Sequence, residues 1–247
     1  MTTRVRLAIF SSGLVLVAAL LVDGVSNLPP FGRYAGPYGD IVARLVEPQR
    51  HMANAVTAVV FDYRGFDTMG EELILFAAAS AVALLLREMR DHDTSDLVEG
   101  IRSDALRGVG ALAAIVTFVL ALQVVAHGFI TPGGGFQGGV VLSAAFALVF
   151  LTNEYRAYNR LASSSFAEPV EALGAGGYVF LGLLALALGF GFLENFLPFG
   201  VTGRLRSGGS AAIVNWSSAL AVSGGFALIF SEYLQENVAV RHGRVGK

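Results

Sequence analysis

Two adjacent carboxylates, Glu71 and Glu72, stand at the head of a long apolar run in "FDTMGEELILFAAASAVALLLRE". An ionisable group in hydrocarbon is expensive and marks an ion or proton site by default. A carboxylate there can accept a proton or attract Na+, because hard cations prefer oxygen ligands. Neighbouring residues project about 100° apart on a helix, so one of the pair can face a bundle while the other faces water. The competing reading is local: carboxylates in the first turn of a helix are favoured by its dipole, and Arg64 is close enough in sequence to pair with them. Asp67 precedes the pair, His127 closes a later apolar run, and Glu194 follows another. Asp67, Glu71, Glu72, His127 and Glu194 are therefore the ion-path candidates. Glu154, Glu194 and Glu232 fall at the ends of apolar runs, where headgroups or water make a carboxylate cheap, so an interfacial position is expected for all three. No nucleophile–base pair indicates a catalytic residue, and His51, His92, His127 and His242 are too scattered to make a metal site.

A second feature is the turn "HGFITPGGGFQGG", with Pro132, Gly133, Gly134, Gly135, Phe136, Gly138 and Gly139 ahead of an apolar run. Glycine-rich turns before helices often cradle phosphate, but this one lacks the Lys-Ser/Thr pair of a P-loop and follows no strand. Glycine instead admits positive φ, proline fixes the entry to a turn, and non-helical backbone at membrane depth must be buried in protein or line a wet cavity. Gly135, Gly138, Gly139, Ser143 and Ala147 leave a stripe nearly free of side chain, and small residues let helix backbones approach closely in lipid. Gly174, Gly177, Gly182 and Gly189 do the same later, as do Gly224 and Gly225. Such a bundle is suited to docking against other membrane helices.

The elements that carry these residues follow from composition. Of 247 residues 54% are hydrophobic and 15% charged, where a soluble domain carries about a quarter charged. Runs of roughly 18 or more apolar residues are candidates to span a bilayer. They lie at about 7–22, 70–86, 106–126, 136–152, 172–193 and 210–230. The fold class expected is an all-α polytopic membrane protein of about six transmembrane helices with glycine-rich packing. The first run also fits the start of a signal peptide, but no small-x-small cleavage site follows it, so an uncleaved helix is expected. Residues 23–52 are turn-rich, 53–61 make an apolar patch too short to span, and 88–104 and 153–170 read as polar loops, the former a solvated cytoplasmic connection.

Net charge of −2 argues against nucleic acid as a partner. With no cysteine, disulfides, thiolate metal sites and cysteine-held iron–sulfur clusters are excluded, and no cofactor is implied. Six spans place both termini on one side. Eleven Arg and Lys fall on that side and six on the other, which favours cytoplasmic termini and puts Glu71, Glu72, His127, the glycine turn and Glu194 toward the outer side.

"TPGGGFQGGVVLSAAFAL" and "NWSSALAVSGGFALIFSEYLQE" resemble the signature turn and last helix of the B subunit of Mrp-type multisubunit cation/proton antiporters, the MnhB family, over about residues 104–240. "FDYRGFDTMGEELILFAAASAVALLLRE" is similar to the carboxyl-terminal piece of the large Mrp A subunit, which is a small separate subunit in membrane-bound hydrogenases. The resemblance implies a fusion: a two-helix module at 1–95 and a four-helix MnhB-like module at 96–247. It implies a prokaryotic inner-membrane subunit, not itself an enzyme, of an Mrp-type antiporter. Its partners would be large antiporter-like subunits, small Mrp subunits and the lipid bilayer. The alternatives are the same module in a hydrogenase-like or complex-I-like redox-driven pump, or an independent small scaffold. The proton-pumping subunits of this superfamily are long chains with buried lysines. Here Lys247 is the only lysine, so the chain resembles an accessory subunit that completes an interface or an ion path.

Overall fold

The structure, a computed structural model, describes residues 3–28, 36–88 and 103–245, with the backbone alone at 88, 153–156 and 236–245. The loop expected at 88–104 falls almost wholly outside the described residues, as does the side chain of Glu154. Chain contacts divide the molecule into two units, Met1–Ile41 and Val42–Lys247. The first contains α1 (Thr3–Ser26) and the start of α2 (Pro37–Arg50). α1 is apolar all round, with a mean hydropathy of 2.3 and no charged side chain between Arg6 and Asp23. Such a helix suits a lipid environment rather than an aqueous surface.

The second unit holds α3 (Ala55–Ala58), a π-helical turn at Val59–Tyr63, and five long helices. These are α4 (Gly65–Glu88), α5 (Asp104–Ala126), α6 (Gly135–Leu161), α7 (Ser164–Ala187) and α8 (Ala211–Val245). Six helices, α1 and α4 to α8, are long and apolar enough to cross a membrane, and there is no strand among the described residues. The chain is an all-α polytopic membrane protein.

α8 is the centre of this unit. In its spanning window 61% of residues are buried, against 22–33% for α4 to α7. The glycines explain how two helices reach it. A Cβ on Gly135 of α6 would lie 2.1 Å from the Asn215 carbonyl oxygen, and one on Gly139 2.8 Å from Val222 Cβ. A Cβ on Gly174 of α7 would meet the Ala221 nitrogen at 2.1 Å. Gly138 meets α5 instead, 2.2 Å from Val125 Cγ2. The small-residue stripes that suggested close docking against other membrane helices are filled largely by helices of this same chain.

Two segments differ from the sequence expectation. The 153–170 stretch is no loop: α6 runs to Leu161 and α7 starts at Ser164. Glu168, Pro169 and Glu171 look like loop chemistry, yet tertiary partners keep them helical. At the other end α7 stops at Ala187, although apolar residues continue to Leu193. Gly189 there adopts φ 87°, the left-handed geometry that ends helices, and Phe190 N–H returns to the Ala185 carbonyl at 3.0 Å. The short 53–61 patch is folded into the protein, with Thr57, Ala58 and Phe61 buried. Phe61 shares a core with Val46, Met52, Phe129, Tyr178 and Val214.

Candidate functional site

The glycine turn closes the α5–α6 hairpin and is held by two asparagines. Gly133 and Gly134 adopt φ 154° and 138°, which side chains rarely tolerate. Asn54 caps α3 by accepting from Val56 and Thr57 N–H at 3.0 and 3.3 Å. Its amide nitrogen donates to the Gly128 and Thr131 carbonyls at 2.8 and 2.9 Å. Asn215 of α8 is fully buried; it accepts from Gly135 N–H at 2.6 Å and donates to the Val125 carbonyl at 2.9 Å. The turn thus supplies backbone groups that fasten α3, α5, α6 and α8 together, and these polar contacts all go to protein. Asn215→Ala would leave buried donor and acceptor groups unmatched at a cost of about 1–3 kcal/mol each. The expected result is a clear fall in the thermal midpoint of the purified protein.

The carboxylates follow a different line, between α4, α7 and α8. Glu72 is 1% exposed; Ser218 of α8 donates to its Oε1, while Oε2 has no hydrogen-bond partner among the described residues. Seven residues on from Ser218, Gly225 faces Glu171 of α7 and Leu75 of α4. Glu171 is 2% exposed. After seven more, Glu232 is fully buried and accepts from Arg87 Nε and Nη2 at 3.0 and 2.7 Å and from Ser164 at 2.9 Å. Arg87 also pairs with Glu168. Ser218, Gly225 and Glu232 therefore lie along one stripe of α8, about 10 Å apart in rise. They align three acidic stations over about 21 Å of a hydrocarbon core roughly 30 Å thick.

At the Glu72 end the line approaches a cavity of about 550 Å³ lined by Arg50, Asp62, Arg64, Phe192, Glu194 and Asn195, among others. Asp62 receives Arg50 Nε at 2.5 Å and Asn195 Nδ2 at 2.9 Å. Asn195 in turn accepts from Ser210 N–H at 2.8 Å, fixing the start of α8 to this mouth.

The sequence-derived candidates separate accordingly. Glu72 faces the bundle and Glu71 is exposed. Arg64 pairs with Asp67, three residues ahead of it and exposed, rather than with Glu71 or Glu72. Glu194 lines the mouth cavity, where its Oε2 accepts from Gly191 N–H at 2.6 Å. His127 is the half-buried C-cap of α5, its Nδ1 3.1 Å from the Gln123 carbonyl. Of the glycine-turn residues Phe136 and Pro132 are exposed. Glu232, expected at an interface with water, is instead buried against Arg87. Sequence reasoning also passed over Asn54, Asn215 and Arg87, and it did not place Glu168 and Glu171 in a helix. Among the described residues no three His, Asp or Glu come together as a metal site.

Arg87 is two-fifths exposed on its side chain while Glu232 is fully buried. Removing one partner of a buried pair costs about 3–5 kcal/mol, less where solvent screens it. Arg87→Met is expected to shorten the life of the purified protein in detergent severalfold, and Arg87→Met with Glu232→Gln to recover most of it.

Residues 105–228, half of the chain, match the family described as a domain related to the MnhB subunit of the Na+/H+ antiporter. The chain belongs to this family. Among curated relatives, an uncharacterised protein of Methanocaldococcus jannaschii is 35% identical over 58% of this chain and 60% of its own length. A probable K+/H+ antiporter A/B subunit of Rhizobium meliloti is 30% identical over 42% of this chain and 12% of its own. The MnhB-related chain thus spans less than two thirds of either relative. Among solved structures, a chain of the membrane-bound sulfane sulfur reductase, an archaeal respiratory membrane complex, is 31% identical with a TM-score of 0.70. That match covers 94% of this chain and 99% of the other. A chain of the Mrp complex from Dietzia sp. shares the fold at TM-score 0.70 and 23% identity, over 94% of this chain and 26% of that one.

Proposed function

We propose that this chain is a membrane subunit of an Mrp-type cation/proton antiporter complex, contributing scaffold and one station of the ion path at Glu72. The observation that carries the path assignment is Glu72 itself: a carboxylate 1% exposed inside a spanning helix, with one oxygen bonded to Ser218 and the other unbonded. A group so placed is costly, and capping does not account for it, because the first turn of α4 is served by Asp67. Asp67 and Glu194 belong to the entrance, Glu71 to the exposed face, and His127 and the glycine turn to the framework. The chain carries no enzymatic chemistry of its own.

The chain combines a module at 1–95 with an MnhB-like module at 96–247. The family match falls inside the second, and the Rhizobium relative is named for both the A and the B subunits. The protein lies in a prokaryotic inner membrane with cytoplasmic termini, supported by the eleven-to-six division of basic residues. Because the chain has no cysteine, Val201→Cys in the exposed α7–α8 connection tests this directly. A membrane-impermeant maleimide should label it in intact cells; labelling only after lysis would reverse the orientation.

A second reading is favoured by the sulfane sulfur reductase chain, matched over 99% of its length: the same module serving a redox-driven pump. Gentle-detergent purification of the tagged chain, with its companions identified by mass spectrometry, decides. Large antiporter-like subunits alone support the antiporter. Iron–sulfur or nickel–iron proteins alongside them support the redox-driven complex. A chain that purifies alone overturns both.

A further inference from the structure

The geometry points to a second exchange site in this protein: the carboxyl of Glu171, which takes up and releases protons within a cleft between α4 and α7. α4 and α7 both lean on α8 and leave between them a cavity of about 330 Å³. Its lining includes Phe76, Ser80, Arg87, Glu168, Glu171 and Leu228. Glu171 is 2% exposed, and among the described residues no hydrogen bond or ion pair reaches it; its Oε1 is fully enclosed. α8 is shaped to admit this side chain. A Cβ on Gly225 would lie 2.9 Å from Oε1, and one on Gly224 2.4 Å from the Glu171 nitrogen. Two consecutive glycines therefore make room for a carboxyl that has no hydrogen bond among the described residues. A buried polar group is normally hydrogen-bonded, so a group left open beside a cavity calls for a ligand.

The groups facing Glu171 identify that ligand as a proton. From α4 come Leu75, Phe76, Ser80 and Arg87; from α7, Glu168; from α8, the glycines and Leu228, with Glu232 beyond. Arg87 is committed to Glu168 and Glu232, so it is not a counter-ion for Glu171. A bare metal cation needs several oxygen ligands. Beyond Glu171 the cavity offers the Ser80 hydroxyl and the Glu168 carboxylate, beside a guanidinium that repels cations. A proton needs one oxygen and a route, and the cavity leads to the Arg87 cluster at the far end from the mouth. Glu171 thus lies between Glu72 and that cluster, about 10 Å in rise from each along α8.

This inference deepens the proposed ion path and rests on it, but its test is separate. In the complex purified from membranes, dicyclohexylcarbodiimide adds to the O–H of a protonated carboxyl in an apolar site, and the adduct rearranges to a stable N-acylurea. Peptide mapping is expected to find the adduct on Glu171, with labelling suppressed as pH rises. Glu171→Gln is expected to leave the set of co-purifying subunits unchanged and to lower proton flux into proteoliposomes about tenfold or more; Glu171→Asp should restore part of it. An assembled Glu171→Gln complex with normal flux overturns the proposal. Should that variant fail to assemble, the label decides alone: a wild-type complex unlabelled at Glu171 overturns it. Neither result depends on which partner proteins are found, so the site can fail while membership of the antiporter complex stands.

Discussion

Glu72→Gln is expected to lower cation-dependent proton exchange by the assembled complex about 100-fold, the usual scale for removing a positioned proton carrier. Glu71→Gln should leave it within about twofold, since exposed charges away from a site contribute little. The contrast is informative because the two residues are adjacent and differ in where the helix points them. Glutamine is nearly isosteric, and its amide oxygen can still accept the Ser218 hydroxyl, so the α4–α8 contact persists and assembly should be intact. What disappears is the ability to hold a proton or a negative charge at that depth. The measurement is exchange in inverted vesicles, with the amount of assembled complex quantified in the same preparation. Equal activity in both variants, or equal loss, would remove Glu72 from the path and leave the carboxyl a role in packing α4 against α8.

The part of this site that the sequence made legible is the part that depends on local rules. A carboxylate pair at the head of an apolar run is visible without a structure, and helical spacing already requires that the two residues diverge. Which of them turns inward is set by where Ser218 lies on α8, almost 150 residues away, and no local rule reports that. Glu171 was hidden for the opposite reason. "SSSFAEPVEALG" carries serines, a proline and two glutamates, the usual chemistry of a connection. Its helical state depends on Arg87 meeting Glu168 and on Gly224 and Gly225 making room. Glu232 shows the same limit: at the end of an apolar run, water is the cheaper partner, and only the position of Arg87 on another helix makes burial workable. The glycines were legible as close-packing devices. What the sequence did not disclose was that α8 of the same chain, rather than a partner, fills most of those faces.

That self-packing can be tested with a single methyl group. Gly135→Ala places a Cβ 2.1 Å from the Asn215 carbonyl oxygen and 2.9 Å from Ser218 Cβ. Overpacking usually costs about 1–3 kcal/mol and sometimes more. Here the first obstacle is helix backbone, which cannot swing aside, so α6 and α8 must separate and the Asn215 bond to Gly135 N–H stretches with them. Gly138→Leu adds a larger obstruction against Val125 and Ala121, and both variants should sharply reduce the amount of intact complex recovered from membranes. Gly176→Ala is the control, with nothing within 4 Å of its Cβ, and should be recovered like the parent protein. Gly134→Ala should be intermediate. Its nearest obstacle is the flexible end of Gln137 at 3.0 Å, so the penalty comes chiefly from φ 138°, on the order of 1–3 kcal/mol for a side chain held in a sparse region. Any complex that does assemble with Gly134→Ala should keep its ion selectivity, because the turn's polar contacts go to protein. Full recovery of Gly135→Ala would mean that α6 and α8 do not approach as closely as described. A change of ion preference in Gly134→Ala without loss of assembly would instead put the glycine turn on the ion path.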